Sequence, residues 1–268
     1  MTPLQQAMKI PPEQLTEGEL RAVKVGVLDS GVDGAHPELL GRIKRAFVST
    51  EHDDGSFVLI ERSPQDNNDR YGHGTAVAGI IAATAPNTEI DDFCVIPASG
   101  VGSGEAMLTA FRAAIDGDAR ILNLSLACKA KFAAELNKLC ETAYRRGKVV
   151  VAAKRNQPLV DLGFPAEFSS CISVDIATEG AFKNLSYLSQ PPIEFAAAGA
   201  DVPALAPGGL YTRVTGTSFA TPAVAGICAL LLGHVPQLSV FDLKALLRHF
   251  GRSVTKSARP APAGTNGN

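Results

Sequence analysis

The sequence predicts an α/β fold, a three-layer sandwich in which a mainly parallel, twisted sheet is flanked by helices. Short apolar runs bounded by turn residues recur at 22–28 (AVKVGVL), 90–96 (IDDFCVI), 120–126 (RILNLSL), 148–153 (KVVVAA) and 170–176 (SCISVDI), and they read as buried strands. Between them, 105–116 and 131–146 carry apolar residues at helical spacing. A recurring strand, helix, strand order calls for parallel strands joined by crossover helices. With 268 residues, 46% of them hydrophobic, the chain can bury a full core as one large domain.

In chain order, residues 1–21 are polar and carry Pro3, Pro11 and Pro12, which predicts a surface arm with at most one short helix between Glu13 and Leu20. The first strand ends in the polar turn Asp29-Ser30-Gly31-Val32-Asp33. His36, placed before Pro37, reads as a turn residue with a structural hydrogen bond. Residues 46–70 form an excursion in which Asp53-Asp54-Gly55 turns a hairpin before 56–61 (SFVLIE), followed by a polar loop at 63–70. The acidic pairs Asp53-Asp54 and Asp91-Asp92 read as solvated turn charges rather than cation ligands. Tyr71-Gly72-His73-Gly74-Thr75 opens a helix of small residues. Gly100, Gly102 and Gly104 punctuate a loop, but GxGxG lacks the third glycine of the dinucleotide fingerprint and any P-loop lysine, so no nucleotide is expected. The strand at 148–153 runs into Lys154-Arg155-Asn156, and further strand or hairpin structure is predicted at 193–198.

Near the end of the chain, Gly216-Thr217-Ser218-Phe219-Ala220-Thr221-Pro222 leads into the apolar helical run 223–232 (AVAGICALLL), which places Ser218 at or just before the start of a buried helix. The helix dipole and free amides there favour negative charge developing beside the serine. Residues 239–250 read as a helix capped by Ser239, with Asp242 at the reciprocating position. The domain spans 22–254, and 255–268 is a disordered tail.

Composition narrows the function. There are 25 basic and 27 acidic residues, a net charge of -2 with no basic block, so neither nucleic acid nor an anionic membrane is indicated, and peptide, protein or small-molecule partners remain. Five cysteines, Cys94, Cys128, Cys140, Cys171 and Cys228, are scattered without a CxxC pair. That usage predicts reduced, buried thiols in a cytoplasmic protein. The first residues lack a signal-peptide core, and no uninterrupted apolar stretch approaches transmembrane length.

Three residues form the candidate catalytic set. Asp29 stands at a strand's carboxyl end, where ligands bind in open parallel sheets; His73 is flanked by glycines; Ser218 opens a helix. Together VLDSGVDGAHPEL, YGHGTAVAG and GTSFATPAVAG resemble the subtilisin-like serine protease family, whose triad runs Asp, His, Ser in chain order. The resemblance spans about 22–250. It implies a subtilisin-like fold and a serine endopeptidase: His73 takes the Ser218 proton, Asp29 orients the imidazole, and no cofactor is needed. It also implies that Asn156 and the Ser218 backbone N–H form the oxyanion hole. Ser99, Gly100, Val101 and Gly102, facing Ser125, Leu126 and Ala127, would bind a peptide as an added strand.

Several features depart from the family pattern. Ala127 and Cys128 stand where glycines are usual, which predicts a narrower primary pocket. Lys154 and Arg155 replace small residues before Asn156, which raises either a preference for acidic or polar substrate residues or two solvent-facing charges. Asp29 lies too near Met1 for an inhibitory prodomain, so unaided folding is expected. The helix after His73 lacks the calcium-binding insertion of many relatives, and no metal is expected. These residues point to an intracellular processing peptidase with restricted peptides. A peptide ligase or macrocyclase on the same triad, and a catalytically silent peptide-binding homologue, are the alternatives.

Overall fold

The computed structural model describes residues 1–156, 162–177, 185–189 and 191–254. The tail expected at 255–268 lies outside the described residues. Seven consecutive strands pair in parallel to make the centre of a ten-stranded sheet, in the order β9 (Phe195–Ala197), β7 (Ile172–Ile176), β6 (Val149–Ala153), β5 (Ile121–Leu124), β1 (Val23–Asp29), β4 (Thr88–Cys94) and β2 (Ile43–Glu51). β3 (Phe57–Arg62) adds antiparallel at one edge, turning through Asp53-Asp54-Gly55 as the sequence predicts. At the other edge β8 (Ser186–Leu188) is antiparallel to β9, and β12 (Arg252–Val254) pairs in parallel with β8.

The central strands read as continuous apolar runs because both faces of the sheet are covered. Val25, Val27, Val149 and Val151 point to one face, under α2 (His73–Thr84), α5 (Thr217–His234) and α6 (Val240–Phe250). Leu28, Leu122, Val150 and Ala152 point to the other, under α3 (Gly104–Asp116) and α4 (Ala133–Arg145). α5 is long and apolar enough to cross a bilayer, yet 89% of it is buried, so its apolarity serves the core. Ser239 and Asp242 form the expected capping box at the start of α6.

Two expectations are corrected. The N-terminal segment has its helix, α1, at Pro3–Ala7, capped by Thr2, and only a 3-10 turn at Pro12–Gln14. It is also part of the core: Ala7 and Leu15 are fully buried, and Leu15 O meets His234 Nε2 at 3.1 Å. The polarity of the segment had hidden a few anchoring apolar residues. Second, Asp91 and Asp92 are not turn charges but lie inside β4, at 3% and 0% exposure. A hairpin the sequence reading did not anticipate, β10 (Val202–Ala206) with β11 (Leu210–Val214), packs against α2, with Leu205 against Gly79.

Candidate active site

The crevice forms where the crossovers part. β1 pairs with β4 on one side and β5 on the other, and α2 and α3 pass over opposite faces, so the chain diverges at the carboxyl end of β1. Asp29, the last residue of β1, stands there fully buried. Its Oδ1 accepts from Ser30 N at 2.8 Å and lies 2.7 Å from His73 Nδ1. A carboxylate can only accept, so Nδ1 carries the proton and Nε2 is left as the basic nitrogen.

His73 opens α2, and the preceding Gly72 has φ 96°, a left-handed conformation suited to glycine. Gly74 allows the helix to touch the Asp29 loop: a Cβ there would sit 2.1 Å from Gly31 O and 3.2 Å from Asp29 Cβ. Asp69, 2% exposed, ties the two segments together. Its Oδ1 accepts from Ser30 Oγ at 2.9 Å, Tyr71 N at 3.0 Å and Gly72 N at 2.6 Å. Its Oδ2 accepts from Thr75 N at 2.9 Å and Thr75 Oγ1 at 2.7 Å. Ser30 Oγ in turn accepts from Gly74 N at 2.9 Å. Sequence reasoning passed over Asp69; the signal available was an acid four residues before His73.

Ser218 is the second residue of α5 and is half-buried. Ser125 Oγ donates to Ser218 O at 2.7 Å, tying the end of β5 to the helix start. Asn156 Oδ1 accepts from Thr217 N at 2.9 Å, which leaves the side-chain amide N–H groups as its donors toward a ligand. Asn156 and Ser218 line one recess of about 420 Å³ with Leu126, Ala127 and Arg155. His73 and Ser218 are not joined by a hydrogen bond in this structure, and the ring of Phe219, next to Ser218, lies 4.9 Å from that of His73.

Comparison with known proteins places this arrangement. The model of the subtilase family matches residues 21–266. The chain belongs to the subtilase family. It is 33% identical over 243 residues to subtilisin Savinase of Lederbergia lenta, covering 87% of this chain and 84% of that protein. It is 30% identical over 230 residues to thermitase of Thermoactinomyces vulgaris, covering 82% and 78%. An alkaline protease of Alkalihalobacillus alcalophilus is 33% identical over 243 residues, but the chain spans 87% of itself and only 60% of that protein's length. For the M-protease of Shouchella clausii the spanned length is 58%. Among solved structures, a cold adapted subtilisin-like serine proteinase superposes with a TM-score of 0.70 at 25% identity, covering 87% and 84% of the two chains. Sphericase, at 22% identity and a TM-score of 0.68, supports the fold.

In this subtilase, burial pulls the His73 pKa down, but the charges of Asp29 and Asp69 and the Asp29 hydrogen bond outweigh it, leaving the pKa above the ordinary 6.5. Asp92, facing α2 two residues before the end of β4, accepts from Val32 N at 3.0 Å, while its Oδ1 has no partner. Burial, reinforced by the charges of Asp69 and Asp29, raises its pKa well above 3.8. Beneath the Asp–His pair there is thus a carboxyl group whose ionisation is opposed by burial and by the neighbouring acids. Asp33 anchors the unanticipated hairpin, its Oδ2 accepting from Gly208 N at 2.7 Å. His36 is structural as expected, with Nδ1 accepting from Glu38 N at 3.2 Å and Nε2 at 3.1 Å from Leu210 O.

The peptide-binding candidates frame a cleft of about 610 Å³. Gly100, Val101 and Gly102 line one wall and Ser125, Leu126 and Ala127 the other; Ser99 lies just outside the lining. Lys154 and Arg155 diverge, which corrects the expectation that paired them. The Lys154 ammonium binds Asp175 at 2.6 Å and its side chain is 9% exposed, so it is not a solvent charge, while the residue itself lines the recess beside Asn156 and Ser218. Arg155 reaches across the recess, its Nη2 donating to Cys128 O at 3.0 Å. Burial pushes the Cys128 thiol up to about 11, so no thiolate competes with Ser218 as a nucleophile. Among the described residues no group of three or more His, Cys, Asp or Glu is arranged to hold a metal ion.

Proposed function

We propose that this subtilase is a serine endopeptidase that hydrolyses peptide bonds through an acyl-enzyme, with Asp29, His73 and Ser218 as its catalytic residues. The observation that carries the reading is the 2.7 Å Asp29–His73 pair, held at one sheet edge with Ser218 at a helix start and Asn156 beside it. A substrate strand lies between 100–102 and 125–127. His73 Nε2 takes the Ser218 proton as Oγ attacks the carbonyl, and the imidazolium is stabilised by Asp29. Negative charge on the carbonyl oxygen is met by Asn156 Nδ2 and the Ser218 N–H, at the positive end of α5. His73 returns the proton to the leaving amine, and water, activated by the same nitrogen, releases the acyl group. The His73–Ser218 hydrogen bond forms as substrate closes the site, since such bonds are often long in unliganded enzymes.

The biological setting belongs to the same proposal: an intracellular, cytoplasmic peptidase that processes a restricted set of peptides. Its support is the state of the five cysteines, all buried and unpaired. The test of the chemistry is labelling with a fluorophosphonate probe, read by intact-protein mass spectrometry beside a Ser218→Ala control. A single adduct on the parent protein and none on the variant is the expected result. A folded parent protein that stays unlabelled overturns the reading.

A further inference from the structure

The helix that carries the nucleophile contains a proline one turn after it. In an α-helix the carbonyl of residue i accepts the N–H of residue i+4. For Ser218 that residue is Pro222, which lies inside α5 and has no N–H to give, and a proline ring also crowds the carbonyl four residues back. Ser218 O is therefore an acceptor that its own helix cannot satisfy in the ordinary way. It lies in a segment where Thr217, Phe219 and Ala220 are all buried. A carbonyl buried without a donor costs free energy comparable to a lost hydrogen bond.

The donor comes from the sheet. Ser125, 3% exposed and one residue past the end of β5, gives its hydroxyl proton to Ser218 O at 2.7 Å. Asn123, two residues earlier and so on the same face of the strand, donates from Nδ2 to Ser125 Oγ at 3.0 Å. Valence fixes the direction of this chain: a carbonyl only accepts, so the one hydroxyl proton goes to Ser218 O and the hydroxyl oxygen takes the amide N–H. The strand neighbours of Asn123 are apolar. It is fully buried between Val27 of β1 and Val151 of β6, in the layer beneath α5, and its Oδ1 has no partner among the described residues. A buried amide satisfied on one side only is costly, so stability does not account for it.

We propose that Asn123 and the Ser125 hydroxyl are positioning residues for Ser218, supplying from the cleft wall the hydrogen bond that Pro222 removes from the helix. The proposal rests on the serine peptidase reading above and adds to it the device that sets the nucleophile. Holding Ser218 O fixes the backbone of that residue, and with it the direction of Oγ toward His73 and of the N–H toward the oxyanion. Ser125 also lines the cleft, so one residue ties the substrate wall to the nucleophile. Asn123 acts at one remove, by orienting the Ser125 hydroxyl so that its proton points at Ser218 O.

The experiment is a double-mutant cycle between Ser125 and Pro222, because Pro222→Ala gives the helix back its N–H. Labelling by a fluorophosphonate probe is followed over time at several probe concentrations, which separates the maximal labelling rate from probe affinity. Ser125→Ala is expected to lower the maximal rate about 10²-fold with probe affinity nearly unchanged, since a small displacement of a reacting group costs that much. In the Pro222→Ala background the same substitution should cost less than about tenfold. Ser125→Cys, a weaker donor, should fall between serine and alanine. Asn123→Leu should slow labelling about tenfold in the parent and add nothing once Ser125 is alanine; the Ser125 and Pro222 arms decide the matter if that variant does not fold. Denaturant unfolding reads the same cycle without chemistry, and Ser125→Ala should destabilise the parent more than the Pro222→Ala protein. Equal losses from Ser125→Ala in the two backgrounds overturn the proposal, as does a Ser125→Ala variant that labels at the parent rate. A parent protein that labels without this coupling loses only the positioning claim, whereas a folded parent that stays unlabelled loses the catalytic reading as well.

Discussion

Beneath His73 and along the rim of the cleft, charged residues are used in opposite ways. On the floor, Asp29, Asp69 and Asp92 are at most 2% exposed, and Asp69 alone accepts five hydrogen bonds from Ser30, Tyr71, Gly72 and Thr75. On the rim, Lys129 and Lys131 are exposed. A buried charge must be answered by positioned donors because water is absent, and the same donors then fix the geometry of the imidazole. An exposed charge keeps its hydration and acts at a distance. Floor residues should govern kcat and stability, and rim residues should leave both unchanged.

The largest expected effect is at Asp29. Replacing it with Asn keeps the shape but removes the charge that holds His73 in its working tautomer, and kcat should fall by about 10⁴-fold with little change in KM. A comparable loss from Lys129→Gln/Lys131→Gln on an uncharged peptide would break the division between floor and rim.

Asp69→Ala comes next. It strands the buried amide and hydroxyl of Thr75 and removes the acceptor of the part-buried Tyr71 and Gly72 amides, at a cost of about 3 kcal/mol, and denaturant unfolding should record it. Asp69→Asn separates packing from charge. Because the Asp69 charge raises the His73 pKa, the acidic limb of the kcat/KM profile should lie above pH 6.5 in the parent and move down in the variant. A group raised in the folded state stabilises below its unfolded pKa and loses that contribution as pH climbs through the folded value. The Asp29–His73 pair is therefore strongest in acid, where the enzyme is least active.

The smallest effect is expected at Asp92, and its sign is diagnostic. Folding keeps a proton on Asp92 that the unfolded chain releases near pH 3.8, so stability is lost as pH rises from that value toward the raised folded pKa. Asp92→Asn retains an acceptor for Val32 N and removes the proton. Its Tm should match the parent in strong acid and exceed it increasingly toward neutral pH. A difference independent of pH would mean that Asp92 is ionised in the folded protein.

The two acidic pairs show where reading from sequence ends. Asp53-Asp54 and Asp91-Asp92 look alike as dipeptides, and the first is the hairpin turn that the following glycine predicts. The second lies in a strand whose flanking apolar residues were legible, but nothing local says that a helix will cover it. Lys154 and Arg155 repeat the lesson: adjacent cations in one loop, one paired with Asp175 across the sheet and the other laid across the recess to Cys128. Strand partners and opposite walls are long-range choices, and a dipeptide carries no record of them.

By itself the sequence determined the alternation of strands and helices, the three candidate catalytic residues and their order, the capped helix at Ser239, and the start of α5 at Ser218. Each of these depends on periodicity, glycine placement or capping within a few residues, and such forces act locally. Only the tertiary structure decided the Asp29–His73 contact, the five bonds at Asp69, the burial that raises the Asp92 pKa and the parting of Lys154 from Arg155. Those depend on desolvation and Coulomb energy between groups far apart in the chain, which have no value until the sheet has set its strands in order.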